Sequence, residues 1–120
     1  MRELEGEQVL MRIFIGERDR WKGRSLVDCL VELFKKEGFA GATVLHGTQG
    51  FGAHSQGIHR DAILRLSQDL PVVVEVVDTE ERIQNLLPTL DEMMGGGLVT
   101  LEKVRVIRYR PHGAEPPSPT

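Results

Sequence analysis

Residues 72–77 read Val-Val-Val-Glu-Val-Val. Valine branches at Cβ and packs well on a pleated strand. A strand that is apolar on both faces must be covered on both, so it belongs inside a sheet rather than at its edge. This run therefore constrains the fold more than any other part of the chain. A second stretch of the same kind, Val9, Leu10, Met11, Ile13, Phe14 and Ile15, is interrupted by Arg12 and closed by Gly16. A charge inside such a strand is unfavourable unless paired. Glu75, the polar residue of the other run, is the partner expected for Arg12, which makes the two strands neighbours.

Between and after these strands the apolar period changes from two to three and four. Leu26, Val27, Leu30, Val31 and Phe34 predict a helix beginning near Arg24 or Ser25 and ending before Gly38. Asp78 and Thr79 can cap a second helix, with Glu80 and Glu81 in its first turn and Ile83, Leu86, Leu87 and Leu90 on its buried face. Pro88 should kink or break it. Residues 42–45 read as a further strand, 98–101 as a short strand, and 104–109 as the last strand. Residues 17–23 read as a loop around Trp21. The order is βαββαβ, and right-handed crossovers then favour an α+β, ferredoxin-like fold: a four-stranded antiparallel sheet with both helices on one face. The other face needs a cover that 120 residues do not provide, so a homo-oligomer is expected.

The length allows one domain, placed at residues 1–110. Residues 111–120 are rich in proline and expected to be a disordered tail. The formal net charge of -3 argues against nucleic acid as a partner. No apolar run is long enough for membrane insertion and no signal peptide is legible, so a cytoplasmic location is expected. Cys29 is the only cysteine and falls on the apolar side of the first helix, as a small core residue.

Four stretches carry a resemblance. They are Met11-Arg-Ile-Phe-Ile-Gly-Glu-Arg-Asp, Val44-Leu-His-Gly-Thr-Gln-Gly-Phe-Gly, Leu66-Ser-Gln-Asp-Leu-Pro-Val-Val-Val-Glu-Val-Val-Asp and Gly97-Leu-Val-Thr. In this order and spacing the chain resembles the PII-like proteins of domain of unknown function 190, over residues 9–109. The resemblance implies a ferredoxin-like homotrimer without enzymatic activity. It also implies an adenine nucleotide, AMP- or ADP-like, in clefts between subunits, with no required cofactor. A flexible loop, here residues 50–69, would regulate a transporter or an enzyme. The tyrosine uridylylated in some PII proteins is missing from that loop.

Residue chemistry supplies the site candidates. Glycine lets backbone N–H groups approach a phosphate or a flat base closely, which singles out Gly47, Thr48, Gly50, Phe51 and Gly52. Phe51 could stack on a base or fill a gap in the core. Gly95, Gly96 and Gly97 suit a second phosphate-facing loop or a plain helix end. Arg108 and Arg110 could grip a phosphate through their guanidinium forks. His46, His54, His59 and Asp61 are of metal-ligating types, but their spacing is not that of a helical site. Two alternatives are a metal-responsive trimer and a small hydrolase using His54 and His59.

Overall fold

The computed structural model describes residues 3–52 and 69–112. Within them the chain runs β1 (Leu4–Gly16), β2 (Arg20–Trp21), β3 (Arg24–Ser25), α1 (Leu26–Lys36), β4 (Thr43–His46), β5 (Pro71–Asp78), α2 (Glu80–Met93) and β6 (Leu98–Tyr109). The four longer strands form one antiparallel sheet in the order β4-β5-β1-β6. This is the ferredoxin-like α+β arrangement expected from the sequence. The two valine-rich strands are its centre. Arg12 lies opposite Glu75 in the β1–β5 register, and its Nε donates to Glu75 Oε2 at 2.7 Å, as anticipated. Arg12 Nη1 also donates to Glu102 Oε2 on β6 at 3.0 Å. The hydrogen bond to Glu75, followed by that to Glu102, holds the Arg12 proton more firmly than usual.

Strand alternation sorts the core. Val9, Met11, Ile13 and Ile15 of β1 and Val72, Val74 and Val76 of β5 pack against Leu26, Cys29, Leu30 and Phe34 of α1 and Ile83, Leu86, Leu90 and Met93 of α2. The alternate residues, among them Leu10, Phe14, Val73 and Val77, point the other way. Together with Leu45 and Leu98 they make an apolar open face around the Arg12 network, and within one copy that face is only partly covered.

Local chemistry fixes the helix ends. Ser25 Oγ accepts from Asp28 N at the start of α1, and Lys35 and Lys36 sit in its last turn, where positive charge opposes the helix dipole. Gly38, with φ +74°, ends it: Gly38 N donates to Lys35 O and Phe39 N to Phe34 O. The Phe34 and Phe39 rings then meet at 5.2 Å between centroids, the hydrophobic contact that accompanies such an end. Thr79 Oγ1 caps α2 by accepting from Arg82 N. Pro88 lies inside α2 without ending it: the helix runs on to Met93, with Pro88 on its exposed side.

Two expectations change. Residues 17–23 are not all loop, because Arg20–Trp21 and Arg24–Ser25 pair as a small hairpin. Its two-residue turn, Lys22-Gly23, has φ of +51° and +78°, the left-handed pair that matches hairpin twist. The C-terminal strands are one strand rather than two. β6 pairs with β1 without interruption from Leu98 to Val106, and the register slips only where Glu5 faces Ile107 and Arg108 between the pairs Leu4–Tyr109 and Gly6–Val106.

Candidate ligand site at the glycine end of the sheet

Four strand ends meet along one edge of the sheet. His46 ends β4 opposite Val72, Pro71 begins β5 opposite Gly16, Gly16 ends β1, and Leu98 begins β6 opposite Phe14. The two glycine segments singled out in the sequence therefore fall at the same end, one beyond β4 and one before β6. Three strand spacings, about 14 Å, separate them.

The geometry explains several of these glycines. Gly47 N donates to Pro71 O at 2.7 Å, carrying the β4–β5 pairing one residue further. A Cβ on Gly47 would come within 2.6 Å of the Pro71 ring, and one on Gly50 within 3.1 Å. Gly97 has φ +116°, and a Cβ there would lie 2.7 Å from the Phe14 carbonyl oxygen. Backbone cannot yield as a side-chain tip can, so residue 97 has to be glycine for the chain to turn from α2 into β6. Gly52 and Gly95 have open space where a Cβ would be. Thr48 is exposed and Gly96 half-buried. Phe51 is 92% exposed, so it does not fill a gap in this chain's core, and its ring is available to a base or to another surface.

Arg108 and Arg110 lie elsewhere. Arg108 lies in the far end of β6 and Arg110 just beyond it, and ten steps of strand separate Arg108 from Leu98, on the order of 33 Å at strand rise. Within one chain they do not join the glycines. Between them Tyr109 Oη donates to Ala40 O at 2.7 Å. Arg108 is exposed, Arg110 half-buried, and the neighbouring Pro111 buried.

Sequence reading passed over the turn at the end of β1. Asp19 Oδ2 accepts from Gly16 N at 3.0 Å, Asp19 N donates to Gly16 O at 3.2 Å, Glu17 N donates to Leu70 O at 2.8 Å, and Arg18 N donates to Asp69 Oδ1 at 2.6 Å. The signal was the Gly-Glu-Arg-Asp quartet, whose glycine and aspartate are turn residues. The hairpin that follows is fastened to α1 by Arg24, both of whose terminal nitrogens reach the Glu32 carboxylate, at 2.9 and 2.7 Å. This fork raises the Arg24 pKa and holds the Glu32 carboxyl below its usual range. Lys22 Nζ rests 4.5 Å from the Trp21 ring centroid.

Among the described residues, no three His, Cys, Asp or Glu side chains converge as a metal site. His46 is exposed and Cys29 is a buried free thiol. His54, His59 and Asp61 lie outside the described residues. Among the described residues no helix is long and apolar enough to cross a membrane.

The DUF190 family model, "Uncharacterized ACR", matches residues 8–106. The chain belongs to this family. It is 35% identical over 100 residues to a UPF0166 protein of Methanocaldococcus jannaschii, covering 82% of this chain and 91% of that one. It is 39% identical to a UPF0166 protein of Aquifex aeolicus with the same coverage. Among solved structures it resembles CPII, a nitrogen regulatory PII-like protein from Thiomonas intermedia K12 bound to ADP, AMP and bicarbonate. The TM-score is 0.59 at 14% identity, over 88% of this chain and 99% of that one. A candidate PII-like signalling protein from Thermus thermophilus matches with TM-score 0.58 at 23% identity, over 89% and 94%. At these identities the structural likeness establishes the PII-like fold of this DUF190 protein.

Proposed function

We propose that this DUF190 protein is a PII-like regulatory protein rather than an enzyme, binding an adenine nucleotide, AMP- or ADP-like, between the subunits of a homotrimer. One subunit contributes Gly47, Thr48, Gly50, Phe51 and Gly52 together with Gly95, Gly96 and Gly97. The neighbouring copy contributes Arg108 and Arg110. The observation that carries this reading is the separation within one chain. The backbone-rich end has glycines suited to close approach, while the arginine forks sit at the far end of β6, so a phosphate can meet both only where two copies adjoin. The half-covered apolar face of the sheet supplies the reason for copies to associate. The fold neighbour bound to ADP and AMP supports the ligand class. A transporter or an enzyme would be regulated through segment 50–69, of which residues 53–68 lie outside the described residues, by a difference in partner affinity between the nucleotide-bound and free protein.

The test is titration calorimetry of purified protein with AMP, ADP, ATP and cyclic nucleotides, alongside light scattering for mass. Saturable binding to a trimer, weakened by Arg108→Ala, is expected. A monomer, or silence with all nucleotides at millimolar concentration, refutes the reading.

A further inference from the structure

The turn at the end of β1 emerges between the two glycine segments. Gly16 lies opposite Pro71, against whose ring Gly47 packs, and Gly97 abuts the carbonyl of Phe14 two residues before Gly16. Arg18 follows the end of β1, one strand from β6 and two from β4, and Arg20 begins the small hairpin just beyond it. Both are exposed, and neither guanidinium has an ion pair among the described residues. Arg12, Arg24 and Arg82 each have a carboxylate neighbour, while Arg105, Arg108 and Arg110 on and after β6 share with Arg18 and Arg20 the lack of an ion pair among the described residues, but lie away from the glycine segments.

Arg18 is not carried on a loose segment. Its own N–H is held by Asp69, the preceding N–H by Leu70 O, and the turn is closed in both directions between Gly16 and Asp19. Gly16 is buried, and a Cβ there would overlap the Asp69 carboxylate where it now sits, so a side chain at this position would displace the carboxylate that holds Arg18 N. Three carboxylates share the turn: Asp69 and Asp19 each accept a backbone N–H, and Glu17 is exposed. None of them is within ion-pair distance of Arg18 or Arg20 among the described residues. A fixed backbone at the strand end flanked by the two glycine-bearing connections, carrying an exposed guanidinium with no ion pair among the described residues, is suited to an anionic group lying over that end of the sheet.

We infer that Arg18, with Arg20 as the weaker second contact, binds the phosphate groups of the ligand from the same subunit as the glycines. The inference rests on the nucleotide reading above and adds to it a residue pair which neither the glycine segments nor the β6 arginines include. Phosphate-bearing ligands are held in proportion to their charge, and the base contributes nothing to this contact.

The test is calorimetry of wild type, Arg18→Gln, Arg18→Lys and Arg20→Gln with ADP, AMP and adenosine at two salt concentrations. Thermal midpoints serve as the control for folding. Arg18→Gln is expected to weaken ADP about tenfold, AMP less and adenosine not at all, and to flatten the salt dependence. Arg18→Lys should keep most of the ADP affinity, and Arg20→Gln should lose about threefold. Unchanged ADP affinity in Arg18→Gln, or equal losses for all three ligands, overturns the inference while leaving the nucleotide reading intact. A wild type that binds none of them overturns the reading itself, and this inference with it.

Discussion

The two ends of the sheet are built differently. At the far end, side chains tie the backbone together. Asp78 is fully buried and accepts from Ala40 N and Thr79 N. Arg82 Nη1 donates to Glu37 O, and Tyr109 Oη donates to Ala40 O. Three elements, the exit of α1, the start of α2 and the last turn of β6, are thereby cross-braced. At the glycine end backbone pairing is supplemented by the Asp19 and Asp69 carboxylates, which accept turn N–H groups, and the exposed Arg18 and Arg20, like Arg108 at the far end, have no ion pair among the described residues. The far end thus joins three elements through buried or part-buried side chains, whereas the side-chain bonds of the glycine end, from Asp19, Asp69 and Glu32, each secure a turn or a hairpin.

The largest break in that comparison should come from Asp78→Ala. It strands two part-buried N–H groups and removes the carboxylate neighbour of Arg82, so a loss of about 3 kcal/mol is expected. Urea denaturation measures it. Nucleotide affinity in the remaining folded protein should not move, and if it does, the two ends are not separable.

Gly97→Ala is the matching change at the glycine end. The left-handed backbone and the close Phe14 carbonyl make a loss of about 2 kcal/mol reasonable. Here affinity for ADP should fall as well, since the turn that presents residues 95–97 must shift. Loss of stability with unaltered binding would make Gly97 a helix-end glycine and nothing more.

How far the sequence revealed this division follows from the signals each end carries. The central strands, both helices and the Arg12–Glu75 pair were legible because burial imposes period and charge pairing on residues close to one another in pattern. The bracing was not. Asp78 looked like a helix cap, but Thr79 does the capping while Asp78 reaches back 38 residues to Ala40. Tyr109 gave no sign of its bond to Ala40, 69 residues away. The hairpin at residues 20–25 was missed because its strands are two residues long, too short for any period to show. The glycine segments were visible by composition alone, yet their meeting at one end of the sheet is a product of topology. So is the distance from them to Arg108 and Arg110.

Tyr109→Phe sharpens the comparison from the braced side. One part-buried hydrogen bond is lost, and about 1 kcal/mol of stability should go with it. Tyr109 lies between Arg108 and Arg110 and is the tethered residue of this strand end. If those arginines complete a neighbour's site, ADP affinity should drop about threefold with the mass by light scattering unchanged from wild type. An unchanged affinity would confine Tyr109 to bracing and weaken the case for Arg108 and Arg110.

The smallest effect concerns the one charge pair that anchors the hairpin at the glycine end. Arg24 holds the Glu32 carboxyl below its usual range, chiefly through their hydrogen bond. A depressed carboxyl pKa means that the unfolded chain takes up a proton at higher pH than the folded one. The pair's contribution is therefore fully present above the ordinary glutamate range, near pH 4.3, and fades as pH falls through the lower folded value. Wild type and Arg24→Ala should accordingly differ slightly in urea midpoint at neutral pH and converge in acid. Both side chains are exposed, so the difference should be modest and should shrink with salt. Carboxyl-carbon NMR should follow Glu32 upward in the variant. If Glu32 titrates alike in both proteins, the hairpin is held by Trp21 against the core and by its own turn, and Arg24 would then be a third unpaired cation beside Arg18 and Arg20.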